Sequence, residues 1–159
     1  MDLCILDNKD IIELYDKYVD LVYRICFMHL KKKEDAEDAT SSTFIKLMEN
    51  ISKLKDDEHV KAWLIVTSSN ICKNSLKYWW RRNISIDMIK EQAVNVPLLN
   101  ETLSAITELP NKYKTIIYLY YYEGYKNKEI AKILKMNEST VRYDLSIARK
   151  LLKDKLGGE

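Results

Sequence analysis

Small polar residues and one base stand together in the second half of the chain: Glu138, Ser139, Thr140, Arg142 and Tyr143. The serine and threonine hydroxyls, together with the free N–H groups of a helix start, suit phosphate oxygens. An arginine can donate two hydrogen bonds to guanine or bind a phosphate, and a glutamate can accept from the amine of cytosine. These residues therefore have the chemistry needed to contact double-stranded DNA.

Two predicted helices would hold these residues in position. The spacing predicts a short helix over 127–134, a break over 135–137, and a last helix from Glu138 to about Leu156, with Asn137 as its N-cap. The inward positions recur at helical spacing: Ile130, Ala131 and Leu134, then Val141, Leu145, Ala148 and Leu152. This pattern is typical of a helix-turn-helix, whose second helix enters the major groove by its first turns. A plain helical hairpin with a polar surface is the alternative.

A second cluster lies near the middle of the chain, on a helix predicted from about Val60 to Trp80. Polar residues at spacings of three and four share one face of it: Asn70, Lys73, Asn74 and Lys77. Aromatic and basic side chains then follow one another: Tyr78, Trp79, Trp80, Arg81 and Arg82. Such a surface can neutralise phosphates and stack unpaired bases, although either tryptophan can instead be a core or hinge anchor. No acid occurs from His59 to Arg82, which favours nucleic-acid binding.

Helical periodicity extends over most of the remaining sequence. Helices are predicted from about Asp10 to Lys31, from Glu34 to Ser52, just before Pro110, and from Asn111 to Glu123, where Gly124 is a left-handed cap. Predicted core positions include Tyr15 in the first helix, Ala36, Ala39, Phe44, Leu47, Met48 and Ile51 in the second, and Val60, Trp63, Leu64, Thr67 and Ile71 in the third. Residues 53–59 are predicted to form a polar loop. We therefore predict an all-α chain of two small helical domains, residues 1–82 and 101–159, joined by a flexible linker over 83–100.

Composition excludes several classes of protein. Only three Gly and two Pro occur in 159 residues, which argues against a sandwich or barrel of many strands. No apolar run approaches the ~20 residues that span a bilayer, and the N-terminus lacks the features of a secretory signal. A cytoplasmic protein without membrane insertion is expected. The three cysteines are far apart and form no cluster with histidine, so we expect no metal site and no cofactor.

Motifs in both halves, in their order and separation, resemble the sigma-70 family of RNA polymerase sigma factors, in its small extracytoplasmic-function (ECF) branch. The first half contains AEDATSSTFIKLMENI, similar to the family's acidic helix that ends in Thr-Phe, and KAWLIVTSSNICKNSL, with Ala-Trp-Leu followed by an Asn. The second half contains LP and then EGYKNKEIAKILKMNESTVRYDLSIARKLL. The resemblance covers residues 10–156. It implies a region 2 domain and a region 4 domain in a transcription initiation factor that is not an enzyme.

The resemblance also implies a role for each surface. Region 2 would bind the β′ clamp of core RNA polymerase through positions that match Asp38, Ser41, Phe44 and Lys46. It would recognise the minus-10 element, partly as single strand, through Asn70, Lys73, Asn74, Lys77, Tyr78 and Arg81, and capture a flipped base in the loop with Lys55, Asp57 and His59. Region 4 would contact the β flap and recognise the minus-35 duplex through Glu138, Ser139, Thr140, Arg142, Tyr143 and Arg149. The family's usual inhibitor is an anti-sigma factor that clamps both domains.

Some residues depart from the family's usual pattern. Lys135 and Ser139 stand where glycine is frequent, and Lys126 replaces a Ser or Thr cap. Asp144 stands where a base is common, which predicts a less cationic recognition helix. Two other classes stay open: a stand-alone helix-turn-helix regulator would explain the second half alone, and a DNA-processing enzyme would need clustered carboxylates or a nucleophile. The acids of residues 34–38 are more typical of a solvated helix start.

Overall fold

Seven α-helices and no strand occur within residues 8–82 and 100–157, the part of the chain that the computed structural model describes. They are α1 (Asn8–Leu30), α2 (Lys33–Asn50), α3 (Asp57–Arg81), α4 (Glu101–Thr107), α5 (Asn111–Tyr121), α6 (Asn127–Leu134) and α7 (Glu138–Lys155), with a 3-10 turn at Ile51–Lys53 after α2. The predicted all-α class is confirmed.

The helices separate into two compact units. Unit 1 contains α1 to α3 within residues 1–93, and unit 2 contains α4 to α7 within residues 94–159. The predicted linker over 83–100 falls almost wholly outside the described residues, so its limits and the exact domain boundaries stay predictions.

Unit 1 is a bundle in which each helix packs on the other two. Its centre consists of side chains without solvent exposure: Val22, Ile25, Cys26, Met28, Ala36, Leu47, Val60, Leu64, Ile65 and Cys72. Full burial of a large apolar side chain stabilises a fold by about 1.5–3 kcal/mol, so this core holds the surface helices in place. The Sγ of Cys72 in α3 lies 4.0 Å from the Cys26 carbonyl oxygen in α1, which marks a close approach of these helices.

The third helix begins at Asp57, three residues before the predicted start. Asp56 is its N-cap, with extended backbone and a carboxylate that accepts from the His59 N–H at 2.8 Å. Asp57 and Glu58 then occupy the first turn, where the helix dipole favours anions. The predicted loop over 53–59 is therefore wrong in its second half, because Asp57 and His59 are helical.

The predicted inner faces of unit 1 also need correction. Met48 and Tyr15 are exposed, and Trp63, Thr67 and Ile71 are only partly buried. The buried side of α3 instead includes Ile65, Ser68, Ser69 and Cys72. Since α3 packs on both α1 and α2, its buried face is wider than one apolar stripe and includes small polar residues. The Ser68 hydroxyl donates to the Ile65 carbonyl oxygen at 3.2 Å, which satisfies it within the helix.

Unit 2 packs α4, α5 and α6 around α7, largely as predicted. The predicted inward residues in and just after α4, and those of α7, are buried: Leu103, Ile106, Leu109, Val141, Leu145, Ala148 and Leu152. The fifth helix contributes Ile116, Ile117, Tyr118 and Leu119. This helix ends at Tyr121, two residues before its predicted end at Glu123. Gly124 adopts the predicted left-handed backbone with φ +70°.

The turn between α6 and α7 is built around a left-handed lysine. Lys135 has φ 55° and ψ 48°, and the Met136 N–H donates to the Ala131 carbonyl oxygen at 2.9 Å, as in a Schellman motif. Asn137 occupies the predicted N-cap position with extended backbone, but its side chain makes no capping hydrogen bond. At the other end of α6, the Lys126 N–H donates to the Glu129 carboxylate at 3.0 Å, which is the glutamate half of a capping box. The Lys126 side chain does not supply the other half, for which a Ser or Thr hydroxyl is usual.

Candidate nucleic-acid interface

The outer side of α7 presents all the predicted duplex-contacting residues. Each of them is exposed: Glu138, Ser139, Thr140, Arg142, Tyr143 and Arg149. Tyr143 is 65% exposed. The opposite side of the helix is fixed to the core, so the first turns of α7 project from unit 2 with their polar groups outward. This is the arrangement by which a recognition helix enters a major groove.

The two arginines on this surface have different partners. The Arg142 Nη1 lies 3.3 Å from the Glu138 Oε1, in an exposed ion pair one helical turn long. The guanidinium of Arg149 lies over the ring of Tyr120 on α5, 4.3 Å from its centroid. The Tyr120 ring therefore orients Arg149 from outside its own helix, whereas Arg142 depends on an acid that would itself face DNA.

Asp144 adds no exposed negative charge to the recognition surface. Its side chain is buried at 2% exposure, with its Oδ1 3.7 Å from the Nζ of Lys112. Its Oδ2 is buried without a hydrogen-bond partner in the structure. The outward side of α7 at this level is instead lined by exposed polar and basic residues: Ser146, Arg149, Lys150 and Lys153. The exposed surface of α7 is therefore more cationic than its sequence indicates, because the carboxylate of Asp144 is not part of that surface.

The polar face of α3 is exposed along its length. Asn70, Lys73, Asn74 and Lys77 are all solvent-exposed, as are Tyr78 and Arg81 at its end. The neighbouring tryptophans differ, because Trp79 is partly buried whereas Trp80 is 69% exposed. The guanidinium of Arg82 lies 5.2 Å from the centroid of the Tyr78 ring. The structure thus brings these predicted residues onto one basic surface of unit 1.

The predicted base-capture residues lie at the junction of the loop and α3. The Lys55 N–H donates to the His59 Nδ1 at 3.1 Å, which closes the turn before the helix. Asp57 accepts from the Lys17 Nζ at 2.8 Å and from the Tyr18 hydroxyl, so it fastens α3 to α1. Partial desolvation raises the pKa of Asp57, but these hydrogen bonds and the charges of Lys17 and Lys61 outweigh it, so its pKa lies below the usual value.

The predicted polymerase-binding residues of α2 divide into exposed and buried positions. Asp38, Ser41 and Lys46 are exposed. Phe44 is only 6% exposed, and its ring packs edge-on against Tyr15 with centroids 4.9 Å apart. Phe44 therefore positions α2 on α1, and its part in polymerase binding stays a prediction.

Exposed apolar side chains on α1 and α2 were missed in the sequence. Ile45 is 57% exposed and Met48 is 54% exposed on α2, and Ile12 and Tyr15 are exposed on α1. Ile45 follows Ser41 by four residues and Met48 follows Ile45 by three, so helical spacing from Ser41 is the signal that would have found both.

The start of α2 is strongly acidic. Burial raises the pKa of Tyr23 on α1, and the negative charges of Glu37 and Glu34 raise it further.

Within residues 8–82 and 100–157, no group of three or more His, Cys, Asp or Glu side chains is arranged to hold a metal ion. None of the helices in those ranges is both long and apolar enough to cross a membrane.

A helix-turn-helix in one unit and a basic helix face in the other define an all-helical, two-unit DNA-binding protein. Comparison with known proteins gives the family. Residues 14–82 match the family described as Sigma-70 region 2, and residues 99–152 match Sigma-70, region 4. The chain belongs to the sigma-70 family of RNA polymerase sigma factors, in its ECF branch.

Individual relatives agree with this assignment. The chain is 31% identical over 150 residues to the ECF RNA polymerase sigma factor SigM of Bacillus subtilis, covering 89% of this chain and 91% of SigM. It is 28% identical over 141 residues to the sigma factor SigV of the same organism, covering 86% and 85%. The fold is similar, with a TM-score of 0.66 and 19% identity, to the sigma factor RpoE of Bartonella quintana, solved in complex with the anti-sigma factor NepR, covering 94% of this chain and 98% of that one.

The family and fold predicted from the sequence are thereby confirmed. The protein is a transcription initiation factor that directs RNA polymerase to promoters. A stand-alone helix-turn-helix regulator is not favoured, because that class accounts for unit 2 only, whereas residues 14–82 have their own match to region 2.

Proposed function

We propose that this chain binds core RNA polymerase and recognises a promoter with two separate surfaces, one in each unit. The observation that supports the proposal most directly is exposure: the polar face of α3 in unit 1 and the first turns of α7 in unit 2 both lie open to solvent. Each face carries bases, and each is backed by its own apolar core. A factor that contacts two elements of one promoter needs two such faces.

Unit 2 recognises the minus-35 element as duplex DNA. The residues that do so are Glu138, Ser139, Thr140, Arg142, Tyr143 and Arg149. Arg142 leaves Glu138 to contact a guanine or a phosphate, and the exposed start of α7 offers N–H groups to the backbone. The Tyr120 ring keeps Arg149 extended towards DNA.

Unit 1 recognises the minus-10 element and stabilises its separated strand. Asn70, Lys73, Asn74, Lys77, Tyr78 and Arg81 contact the strand, while Lys55 and His59 line the turn beside it and Asp57 fixes that turn to α1. Extrusion of a base costs a few kcal/mol, which contacts to the unpaired strand offset. The chain contributes binding energy to strand opening, and the polymerase carries out the chemistry, so the factor itself is not an enzyme.

The outer side of α2 docks on the β′ clamp of polymerase. Asp38, Ser41 and Lys46 provide its polar contacts, and the adjacent exposed residues Ile45 and Met48 provide apolar area. Unit 2 contacts the β flap. The protein acts in the cytoplasm, where polymerase and promoter DNA are found, and an anti-sigma factor is its expected inhibitor, in keeping with the complex in which the similar RpoE fold was solved.

Run-off transcription with core polymerase and genomic promoter fragments tests the proposal. Combined substitution Asn70→Ala with Lys73→Ala should slow open-complex formation while leaving polymerase pull-down unchanged. The control is Lys33→Ala, at an exposed lysine on another helix of unit 1, which should leave both readouts unchanged. Failure of the unmodified chain to bind polymerase would overturn the proposal and favour a stand-alone regulator.

A further inference from the structure

Trp80 has the largest exposed fraction of any large hydrophobic side chain in the described part of the chain, at 69%. Tyr78, two residues before it, is 53% exposed, whereas Trp79 between them is partly buried. An exposed tryptophan contributes nothing to the core of unit 1, so the reading of Trp80 as a core anchor does not hold. Its ring is instead open to solvent and available to a partner.

The two exposed rings flank the basic face of α3. Trp80 follows Lys77 by three residues, and Tyr78 follows Asn74 by four, so each ring adjoins the polar strip. At about 100° per residue the rings stand roughly 160° apart across that strip. Arg81, four residues after Lys77, lies between them.

The charge of this end of α3 and the shape of its exposed side chains indicate what it binds. Five bases and no acid occur from His59 to Arg82: Lys61, Lys73, Lys77, Arg81 and Arg82. A polyanion is therefore the partner that this end of α3 attracts. Flat exposed rings beside exposed cations match the two parts of a single-stranded nucleotide, because a base has a π face to stack and a phosphate to neutralise. The bases of a closed duplex are already stacked on each other and offer no such face.

We propose that Trp80, together with Tyr78, is a stacking site for unpaired DNA bases at the end of α3. The inference rests on the proposed recognition of the minus-10 element and deepens it, since it adds Trp80 to the residues that contact the separated strand and assigns stacking as its role. Trp79 has no part in this site and supports the helix from its inner side.

A full chain with a single tryptophan tests the stacking directly. Trp63→Phe with Trp79→Phe leaves Trp80 as the only tryptophan, because the chain has three. Its emission should be strongly quenched by a short oligothymidylate at low ionic strength and much less by inorganic polyphosphate, which carries charge without bases. Equal quenching by the two probes would overturn the proposal, as would emission that acrylamide cannot quench before DNA is added, because the ring would then be covered by the protein itself.

Affinity measurements on otherwise unmodified chains provide a second test of the stacking site. Trp80→Ala should weaken oligothymidylate binding about tenfold, whereas Trp80→Phe should restore most of it, because phenylalanine keeps a π face. Polyphosphate binding should be the same for all three chains. Unchanged oligothymidylate affinity in Trp80→Ala would overturn the inference, and Trp79→Phe is the matched control that should have no effect.

Holoenzyme assays separate this inference from the proposed function. Trp80→Ala should slow opening of a closed promoter severalfold. It should change little the rate of RNA synthesis from a saturating template whose minus-10 region is already unpaired, because no opening step remains there. If Asn70→Ala with Lys73→Ala impairs opening and Trp80→Ala does not, the stacking inference fails and the proposed function stands. If oligothymidylate quenches Trp80 but the chain gives no promoter-dependent transcription, the proposed function fails and the stacking site stands.

Discussion

Arg142 and Arg149 show how the same residue type is held in two ways on one surface. Arg142 pairs with Glu138 at 3.3 Å, and both side chains are more than two-fifths exposed. Such exposed pairs contribute only about 0.3–0.5 kcal/mol, so a phosphate or guanine can replace the glutamate at little cost. Arg149 lies over the Tyr120 ring, an uncharged partner that does not compete with a phosphate for the guanidinium as an acid would.

Replacement of Arg142 by alanine should weaken binding of the minus-35 duplex by about 1–3 kcal/mol, because the loss removes a base or phosphate contact in the groove. Fluorescence anisotropy of the holoenzyme on labelled duplex at fixed salt measures the change. Lys155→Ala, at the exposed end of the same helix, is the control and should cost much less. Unchanged affinity in Arg142→Ala would put that side chain outside the groove.

Replacement of Tyr120 should act on DNA binding through Arg149. Tyr120→Leu removes the ring beneath the guanidinium and should weaken the same duplex binding by about 0.5–1 kcal/mol, the range of an exposed cation–π contact. Tyr120→Phe keeps the ring and should bind like the unmodified chain. In an Arg149→Ala background Tyr120→Leu should have no further effect, and an undiminished effect there would show that Tyr120 acts on the fold of unit 2 instead.

Helix boundaries show which elements the sequence specifies. The limits of α6 and the start of α7 were predicted correctly because a clear apolar stripe and a polar break agree there. The start of α3 was missed because a run of acids resembles a loop until Asp56 is recognised as a cap. The inner faces of α2 and α3 were only partly predicted, since burial of Ser68 or exposure of Met48 depends on which helices pack on them, and that is a tertiary property.

The turn of the helix-turn-helix should gain stability from a glycine. Lys135 adopts a left-handed conformation that costs an L-residue roughly 1–2 kcal/mol, part of which glycine loses again through its greater freedom in the unfolded chain. Lys135→Gly should therefore stabilise unit 2 by about 0.5–1 kcal/mol. Native-state hydrogen exchange of the α6 and α7 amides measures this locally. The same measurement on Lys132→Gly, within α6, should report destabilisation by about 0.5–1 kcal/mol, because glycine is unfavourable inside a helix. If both glycine substitutions changed stability in the same direction, the left-handed backbone of Lys135 would not explain the effect.

The contact between α3 and α1 through Asp57 should depend on pH. Since the pKa of Asp57 is lower in the folded chain than in the unfolded one, where it is near 3.9, its contribution is fully present above about pH 3.9 and is lost as the pH falls below that, through the lower pKa of the folded chain. Asp57→Asn should destabilise unit 1 by up to about 1 kcal/mol at neutral pH, because the pair with Lys17 is half-exposed, and by progressively less as the pH falls below about 3.9.

Urea unfolding followed by tryptophan emission checks this pH dependence, because all three tryptophans lie in unit 1. Glu13→Gln, at another exposed acid of α1, is the control and should shift the midpoint little at either pH. If Asp57→Asn destabilised unit 1 equally near pH 3, the fit of the side chain, and not its charge, would account for its contribution to stability.

At the scale of the whole molecule, the sequence predicted the two helical units and the basic surface on each better than the individual contacts. Asn70 and Lys73 could be assigned to a surface because periodicity alone sets their side of the helix. The burial of Phe44 and Asp144 and the exposure of Trp80 could not be predicted in this way. Each depends on a neighbouring helix or on where the bundle ends. The net charge of +2 is small because the basic faces are offset by acidic stretches elsewhere. Strong promoter binding therefore has to come from both faces engaged together on polymerase.

Two faces on separate units should contribute independently to promoter binding. Arg142→Ala lies in unit 2 and Asn70→Ala with Lys73→Ala lies in unit 1, and the two units have separate cores. Changes at distant sites without shared partners usually add within about 0.5 kcal/mol, so the combined variant should lose the sum of the separate losses. A double-mutant cycle on preformed holoenzyme at fixed salt measures this, with Arg142→Ala and Tyr120→Leu as a pair within unit 2 for comparison. A coupling energy well above 1 kcal/mol between the units would mean that one face binds only after the other has changed the DNA, and recognition would then be sequential.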